Sequence, residues 1–496
     1  MNDLSLVIEI QMNIHFIGIG GIGISALAKY YLAKGWKVSG CDLSSSEITD
    51  QLKTLGASIR IGQPDPSCVS PDTNMVVHTP AVPPMHPEIL QAKNYKLQPK
   101  TYPQALGELT KEHFTITVSG CHGKSTTTAM VGLLLMKAGL NPTIIVGTKI
   151  KELGNSNFRM GGEPTTNNQQ RITNNKVLIT SYPSTLLRVN QRQTTNYLVI
   201  EADEHFSSFL NYSPRIAIVT NVERDHLDFY KNLANIKKAF KTYIAKIPKE
   251  GTLVINKDDK EAKTIVPKRA PYGVVWYSTK SADAKKLGPN MRLPGIHNLS
   301  NAMAALQAAR LLNIPDNISF AALSSYKGSW RRFEIFKLKT ANNAPYTLVS
   351  DYGHHPTEIR ATLQAARQKW PLNPARGKSK NIWLIFQPHQ HQRTFFLWKD
   401  FIKTLSSLPI QKLVLLDIFD VAGREETDIN KKVSSAKLLK AIQKKNPTYE
   451  TLRIPTTQEA EIYLKENIKG GEIVLVMGAG NIYNLALRLT QNKPSD

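Results

Sequence analysis

The sequence predicts an α/β protein of three domains: a Rossmann-like N-terminal domain, a P-loop central domain and a Rossmann-like C-terminal domain. Three observations carry this. At 496 residues the chain is too long for one core. Apolar strands run twice through glycine-rich turns into apolar helices, at 14–34 and 114–135. Beyond residue 330 strand and helix patterns alternate, which implies a parallel, doubly wound sheet. The expected domains are 1–112, 113–329 and 330–496.

In the first domain, Ile14 to Ile19 is an apolar strand leading into Gly18-Ile19-Gly20-Gly21-Ile22-Gly23 and the helical stretch Ser25 to Lys34. Lys37 to Cys41 reads as a second strand, ending at Asp42. Strand, glycine fingerprint, helix, strand and an acid about 20 residues on form the dinucleotide-binding pattern. Gly18, Gly20, Gly21, Gly23 and Asp42 are its candidate phosphate and ribose contacts. Further strands are expected at Ala57 to Gly62, Met75 to Thr79 and Lys96 to Pro99. Thr79 opens the loop Thr79-Pro80-Ala81-Val82-Pro83 at a strand's end, where α/β sheets bind ligands.

The second domain starts with the strand Phe114 to Val118, which passes through Gly120-Cys121-His122-Gly123-Lys124-Ser125-Thr126 into an apolar helix. A glycine turn at a helix N-terminus offers unsatisfied N–H groups and a positive dipole end to phosphate oxygens. Lys124 can reach terminal phosphates, and the Ser125 hydroxyl is placed for Mg²⁺. This is the short GxxGK[ST]T form, with Val118 where the longer spacing has glycine. It marks a nucleoside triphosphate site. A loop lysine of this kind is expected to face solvent, so that Lys124→Ala spares the fold.

Downstream, Val177 to Tyr182 is β-rich, inside an Asn-, Gln-, Thr- and Arg-rich stretch, 163–196, that reads as an exposed insertion. Tyr197 to Ile200 is a strand delivering Glu201-Ala202-Asp203-Glu204, and Ile216 to Thr220 another delivering Asn221 to Asp228. Acids and His226 at the carboxyl ends of strands beside a phosphate loop are well placed for Mg²⁺. Asn298 precedes the Ala-rich helix 301–312, where it is either a cap or a reader of a base. Gly328-Ser329-Trp330-Arg331-Arg332-Phe333 leads into the third α/β unit. There the strands Tyr346 to Ser350, Asn381 to Gln387, Lys412 to Leu416 and Glu472 to Met477 deliver or flank DYGHHPTE (351–358), PHQHQRT (388–394) and GAGN (478–481).

Composition narrows the classes. The net charge of +24, 63 basic against 39 acidic residues, raises nucleic acid as a partner. The lysines are scattered without interleaved aromatics, so a solvated surface is favoured and nucleic acid is an unlikely partner. No apolar run reaches the roughly 20 residues of a membrane span. Residues 1–11 lack a signal peptide's basic start, and Met12 is an alternative start. Cys41, Cys68 and Cys121 have neither pairing nor metal-ligand spacing, as expected in a reducing cytoplasm.

In order, GIGGIG, TPAVP, SGCHGKSTT, EADE, TNVERDHLD, PGIHNLSNA, RRF, DYGHHPTE, FQPH and GAGN resemble the Mur ligase family over nearly the whole chain. The resemblance implies domains for a UDP-sugar, for ATP and for an amino acid. DYGHHPTE and GIGGIG favour the member that joins L-alanine to UDP-N-acetylmuramate through an acyl phosphate, in peptidoglycan precursor synthesis. It also implies roles. Lys124 binds the β- and γ-phosphates, Ser125 and Glu201 hold one Mg²⁺ and His226 a second. Asn298 contacts adenine, Arg332 the γ-phosphate and Asp351 the ribose. Tyr352, His354, His389 and Arg393 line the amino-acid pocket, where the Arg393 fork suits the substrate carboxylate. Three departures stand out: Cys121 for the usual Thr, His205-Phe206 for the commoner Ser-Asp, and Gln390 where many members have Arg. The alternatives are a recycling ligase that attaches a tripeptide, against which GIGGIG counts, and a non-catalytic nucleotide- or nucleic-acid-binding protein.

Overall fold

The computed structural model describes residues 11–162, 196–371, 381–420 and 427–491, which form three α/β units in chain order. The stretch 163–196, apart from Asn196, and the strand expected at 177–182 lie outside the described residues.

The first unit holds β1 (Asn13–Ile17), β2 (Lys37–Asp42), β3 (Ser58–Ile61), β4 (Met75–His78) and β5 (Lys100–Thr101). They are parallel, in the order β3-β2-β1-β4-β5. β1 is buried along nearly its whole length, as expected of a parallel strand covered on both faces, and its one buried polar side chain, His15, is bonded to Ser39 and Glu88. The strand expected at Lys96 to Pro99 is instead a turn. Lys96 takes φ +61° and, with Leu97, closes the helix Pro87–Asn94 by bonding back to the carbonyls of Lys93 and Ala92. The extended segment therefore begins only at Lys100. Thr101 then caps the helix Tyr102–Glu112 in a capping box with Gln104.

The second unit adds β6 (Phe114–Ser119), β7 (Thr143–Ile150), β8 (Ser156–Arg159), β9 (Tyr197–Glu201), β10 (Ile216–Val219), β11 (Thr252–Asn256) and β12 (Gly273–Tyr277). Their order is β12-β11-β10-β6-β9-β7-β8, parallel except for β8. β6 pairs with β9 on one side and β10 on the other, with Val118 opposite Glu201 and Ser119 opposite Val219. This order decides the site. The glycine turn after β6 and the acidic segments after β9 and β10 leave the sheet side by side.

The third unit contains β13 (Glu334–Lys339), β14 (Pro345–Asp351), β15 (Ile382–Phe386), β16 (Lys412–Leu415), β17 (Glu450–Arg453) and β18 (Ile473–Met477). The order is β13-β14-β18-β15-β16-β17, with only β13 antiparallel. Met477 lies opposite both Asp351 and Phe386, so the loops after β14, β15 and β18 open at one level. No helix among the described residues is long and apolar enough to cross a membrane.

Candidate active site

The glycine turn is held from behind. Gly120 (φ +127°) and Gly123 (φ +83°) both occupy backbone that side chains avoid, and a Cβ on either would collide, with Thr220 and Asn301 respectively. Between them the His122 amide donates to Asn221 Oδ1 at 2.9 Å, while the Asn221 amide and Thr220 hydroxyl donate to the His122 carbonyl. Cys121 is buried against the Glu223 backbone, and burial pushes its thiol up, so it sits here as a small neutral side chain. The turn ends at the helix Lys124–Lys137, with Thr126 buried in its first turn.

Three carboxylates surround the loop. Lys124 Nζ lies 2.9 Å from Glu204 and 3.4 Å from Asp203. Its side chain is 13% exposed and that of Glu204 only 2%, so Lys124 is an enclosed ion pair and not the solvent-facing lysine the sequence suggests. Burial drives the Glu204 carboxyl upward against the pull of Lys124. Ser125 Oγ is 2.9 and 3.0 Å from the Glu201 oxygens, and Glu201 also accepts the Gly147 N–H at 2.9 Å. This oxygen-rich set fits Mg²⁺. His226, at φ +49°, stacks on His205 with ring centroids 4.0 Å apart, and its Nε2 is 3.7 Å from Glu204. Burial lowers its imidazole to about 3, so it is neutral, the form that ligates a metal.

The third unit forms the opposite wall. Arg332 lies over the Tyr352 ring and 3.4 Å from Glu358. His354 packs edge-on to Tyr352, and His389 packs beside His354. Arg393 is not free to await a carboxylate. Its Nε and an Nη lie 3.3 Å from Asp225 Oδ1, the two side chains being 8% and 7% exposed, and its other Nη faces Gln390 Oε1 at 3.1 Å. His122 bridges the walls, with Nε2 3.1 Å from Glu223 and Nδ1 3.5 Å from Glu358. Burial alone would lower this imidazole, but the two carboxylates raise it to about 10.

A cleft of about 300 Å³ separates these walls. It brings together His122 to Ser125, Glu201, His226 and Arg332 with Tyr352, His354, His389 and Arg393. Other expected residues stand apart from it. Asn298 lies within the helix Ile296–Leu311, buried, and donates its amide to the Pro294 carbonyl at 2.7 Å. Asp351 accepts the backbone N–H groups of Gly353 and Phe333 at 2.7 and 2.9 Å, so both its oxygens are occupied. In the first unit, Asp42 accepts the Gly20 N–H at 2.9 Å, Gly18 packs on Thr79, Gly21 bonds back to the Gly18 carbonyl, and Gly23 lies against Tyr102. Of that fingerprint, Ile22 reaches the cleft. From sequence, Asp203, Glu204, Glu223 and Asp225 stand out only as members of acidic segments suited to Mg²⁺, and Glu358 carries no assigned role. All lie inside motifs marked in the sequence, but their partners are distant in the chain.

Known proteins share this architecture. The Mur ligase middle domain matches residues 118–309, the Mur ligase family catalytic domain residues 13–114, and the Mur ligase glutamate ligase domain residues 331–480. A UDP-N-acetylmuramate–L-alanine ligase of Lachnospira eligens is 36% identical over 502 residues, covering 96% of this chain and 97% of the relative. The enzyme of that name from Clostridium acetobutylicum is 34% identical over 500 residues, with the same coverage. Among solved structures, a UDP-N-acetylmuramate–alanine ligase from Thermotoga maritima superposes with a TM-score of 0.72 at 23% identity, covering 97% of this chain and 99% of that one. A murein peptide ligase from Psychrobacter arcticus gives 0.65 at 22%, covering 98% and 100%. Domain matches along nearly the whole length, and relatives more than a third identical over 96% of the chain, show that this protein belongs to the Mur ligase family.

Proposed function

We propose that the chain is an ATP-dependent ligase that joins L-alanine to UDP-N-acetylmuramate in the cytoplasm, in peptidoglycan precursor synthesis. The observation that carries this reading is the two-walled cleft: Lys124, Ser125 and Glu201 on one side, Tyr352, His354, His389 and Arg393 on the other. It suits a reaction in which a phosphorylated acid on one wall meets an amine from the other. Full-length relatives bearing that activity in their names support it.

In this reading the lactyl carboxylate attacks the γ-phosphorus of ATP, ADP leaves, and an acyl phosphate forms. The L-alanine nitrogen then adds to the acyl carbon, and phosphate departs as the amide forms. The chain's share is positioning and charge neutralisation. Lys124 would move from Glu204 to the β- and γ-phosphates, which the turn from Gly120 to Thr126 cradles with its N–H groups. Arg332 would face the γ-phosphate. Ser125 and Glu201 would hold one Mg²⁺ and His226 a second, and the metal supplies further neutralisation of phosphate charge. Gly18, Gly20, Gly21, Gly23, Asp42 and Thr79 would form the UDP-sugar site, while Asn298 and Asp351 would face the nucleoside after giving up a present hydrogen bond.

The test is phosphate release from ATP with UDP-N-acetylmuramate and each candidate acceptor, with the product identified by mass. Release with L-alanine and a product heavier by one alanyl residue are expected. Turnover only with a tripeptide, or ATP hydrolysis indifferent to the acceptor, would refute the reading.

A further inference from the structure

The helix Pro356–Lys369 opens at the cleft wall, and its first turn faces the central unit. His355 is its N-cap, accepting the Thr357 N–H at 3.2 Å, and Glu358 completes the capping box. Glu358 Oε2 accepts the N–H groups of His354 and His355 at 3.0 and 3.2 Å. That spends one oxygen on the turn that carries His354. The other oxygen leaves the helix altogether: Oε1 lies 3.4 Å from Arg332 and 3.5 Å from His122 in the glycine turn. His122 meets Glu223 with its second nitrogen at 3.1 Å, and Glu223 accepts the Thr357 hydroxyl at 2.6 Å. His122 and Glu223 thus meet Glu358 and Thr357, adjacent residues of the helix's first turn, through polar contacts across the two units.

One carboxylate therefore touches the phosphate loop, the arginine beside it and the backbone of the amino-acid wall. A capping glutamate needs none of the outward contacts. We infer that Glu358 is a positioning residue that couples nucleotide at the phosphate loop to the amino-acid pocket. ATP fixes the glycine turn, and with it His122. Glu358, held between His122 and Arg332, then fixes the turn carrying His354, so the acceptor meets a pre-ordered wall. Coupling is reciprocal, so L-alanine must tighten nucleotide by the same factor. The inference rests on the ligase reading above.

Glu358→Gln tests it, because the amide keeps an acceptor oxygen for the capping box yet removes the charge facing His122 and Arg332. L-alanine affinity is measured calorimetrically with UDP-N-acetylmuramate present, with and without a non-hydrolysable ATP analogue and Mg²⁺. In the unmodified protein the analogue is expected to tighten L-alanine within the usual range of about 5- to 150-fold. In Glu358→Gln that ratio should fall to about one, while the analogue's own affinity without L-alanine changes less than about twofold. His122→Asn should lose the ratio as well, and the double variant should lose no more than either single one. If Glu358→Gln melts far below the unmodified protein, His122→Asn, which leaves the helix cap whole, decides the matter. A coupling ratio that survives in the deciding variant overturns the inference, as does an unmodified protein that turns over yet binds nucleotide and L-alanine independently. An unmodified protein that releases no phosphate with these substrates refutes the ligase reading instead.

Discussion

Removing the Lys124 ammonium should do more than stop catalysis. Lys124 sits 2.9 Å from Glu204 in an enclosed site, with Asp203 at 3.4 Å. At an effective dielectric of about 20, one charge pair at that separation is worth about 6 kcal/mol before desolvation. Lys124→Ala regains the lysine's own desolvation but leaves the acids without their cation. A net loss of up to about 3 kcal/mol, the low end for breaking a buried pair, is expected once the pH passes the Glu204 value of about 7. The pH dependence gives the sharper test. Burial raises Glu204 above its ordinary 4.5, and Lys124 opposes it. Without the ammonium the folded value rises further. A carboxyl raised in the folded state favours folding below its unfolded value and loses that contribution as pH climbs through the folded value. The melting deficit should therefore be small near pH 5 and grow toward about pH 8. Thermal melts of both proteins across that range check this, beside a ligation assay expected to fall at least about 100-fold. A variant as stable as its parent at every pH would refute the enclosed ion pair.

Glu201→Gln should raise the Mg²⁺ concentration needed for half-maximal ligation by about tenfold, because an amide is a poorer ligand than a carboxylate for a hard cation; an unchanged Mg²⁺ titration removes Glu201 from the site. Arg393→Met and Asp225→Asn should each destabilise by about 3 kcal/mol, and the double variant by at least about 1 kcal/mol less than their sum, since each single change strands a buried partner. Additive denaturant midpoints would show that the pair is not coupled. Arg393→Lys should raise the KM for L-alanine more than those for ATP or the UDP-sugar, because an ammonium cannot hold Asp225 and a substrate carboxylate with one planar fork; equal changes in all three would place Arg393 outside the pocket.

The chemistry-bearing turns were legible because they are spelled in residues with few other uses. Gly-Lys-Ser after a buried strand has little structural competition, and a strand buried on both faces such as β10 (IAIV) reads as an apolar run. β11 and β12 are comparably apolar but deliver no motif, and they went unanticipated. The short edge strands β8 (SNFR) and β17 (ETLR) show almost no pattern, since an edge with a solvated face imposes little on its side chains. What the sequence could not give was pairing. Lys124 and Glu204 are 80 residues apart, Arg393 and Asp225 168. Strand order brings the first pair together, and the packing of the third unit against the second brings the other. Hence Lys124 reads as a solvated loop lysine and Arg393 as an unclaimed guanidinium, until the neighbouring carboxylates are known.

The two glycines of the phosphate turn bear on how such sites lose or keep their chemistry over time. Thr220 and Asn301 stand where a side chain on Gly120 or Gly123 would go, and neither is offered to phosphate: one closes the turn through the His122 carbonyl, the other lies in the helix Ile296–Leu311. A descendant that had abandoned ATP would still be held to both glycines by packing, while Lys124 and Ser125 are held only by carboxylate partners, Glu204 and Glu201, and could be lost together with them. The glycine half of the motif is therefore a record of architecture alone, and a sequence that retains it without both Lys124 and its acidic partners should be read as a relic.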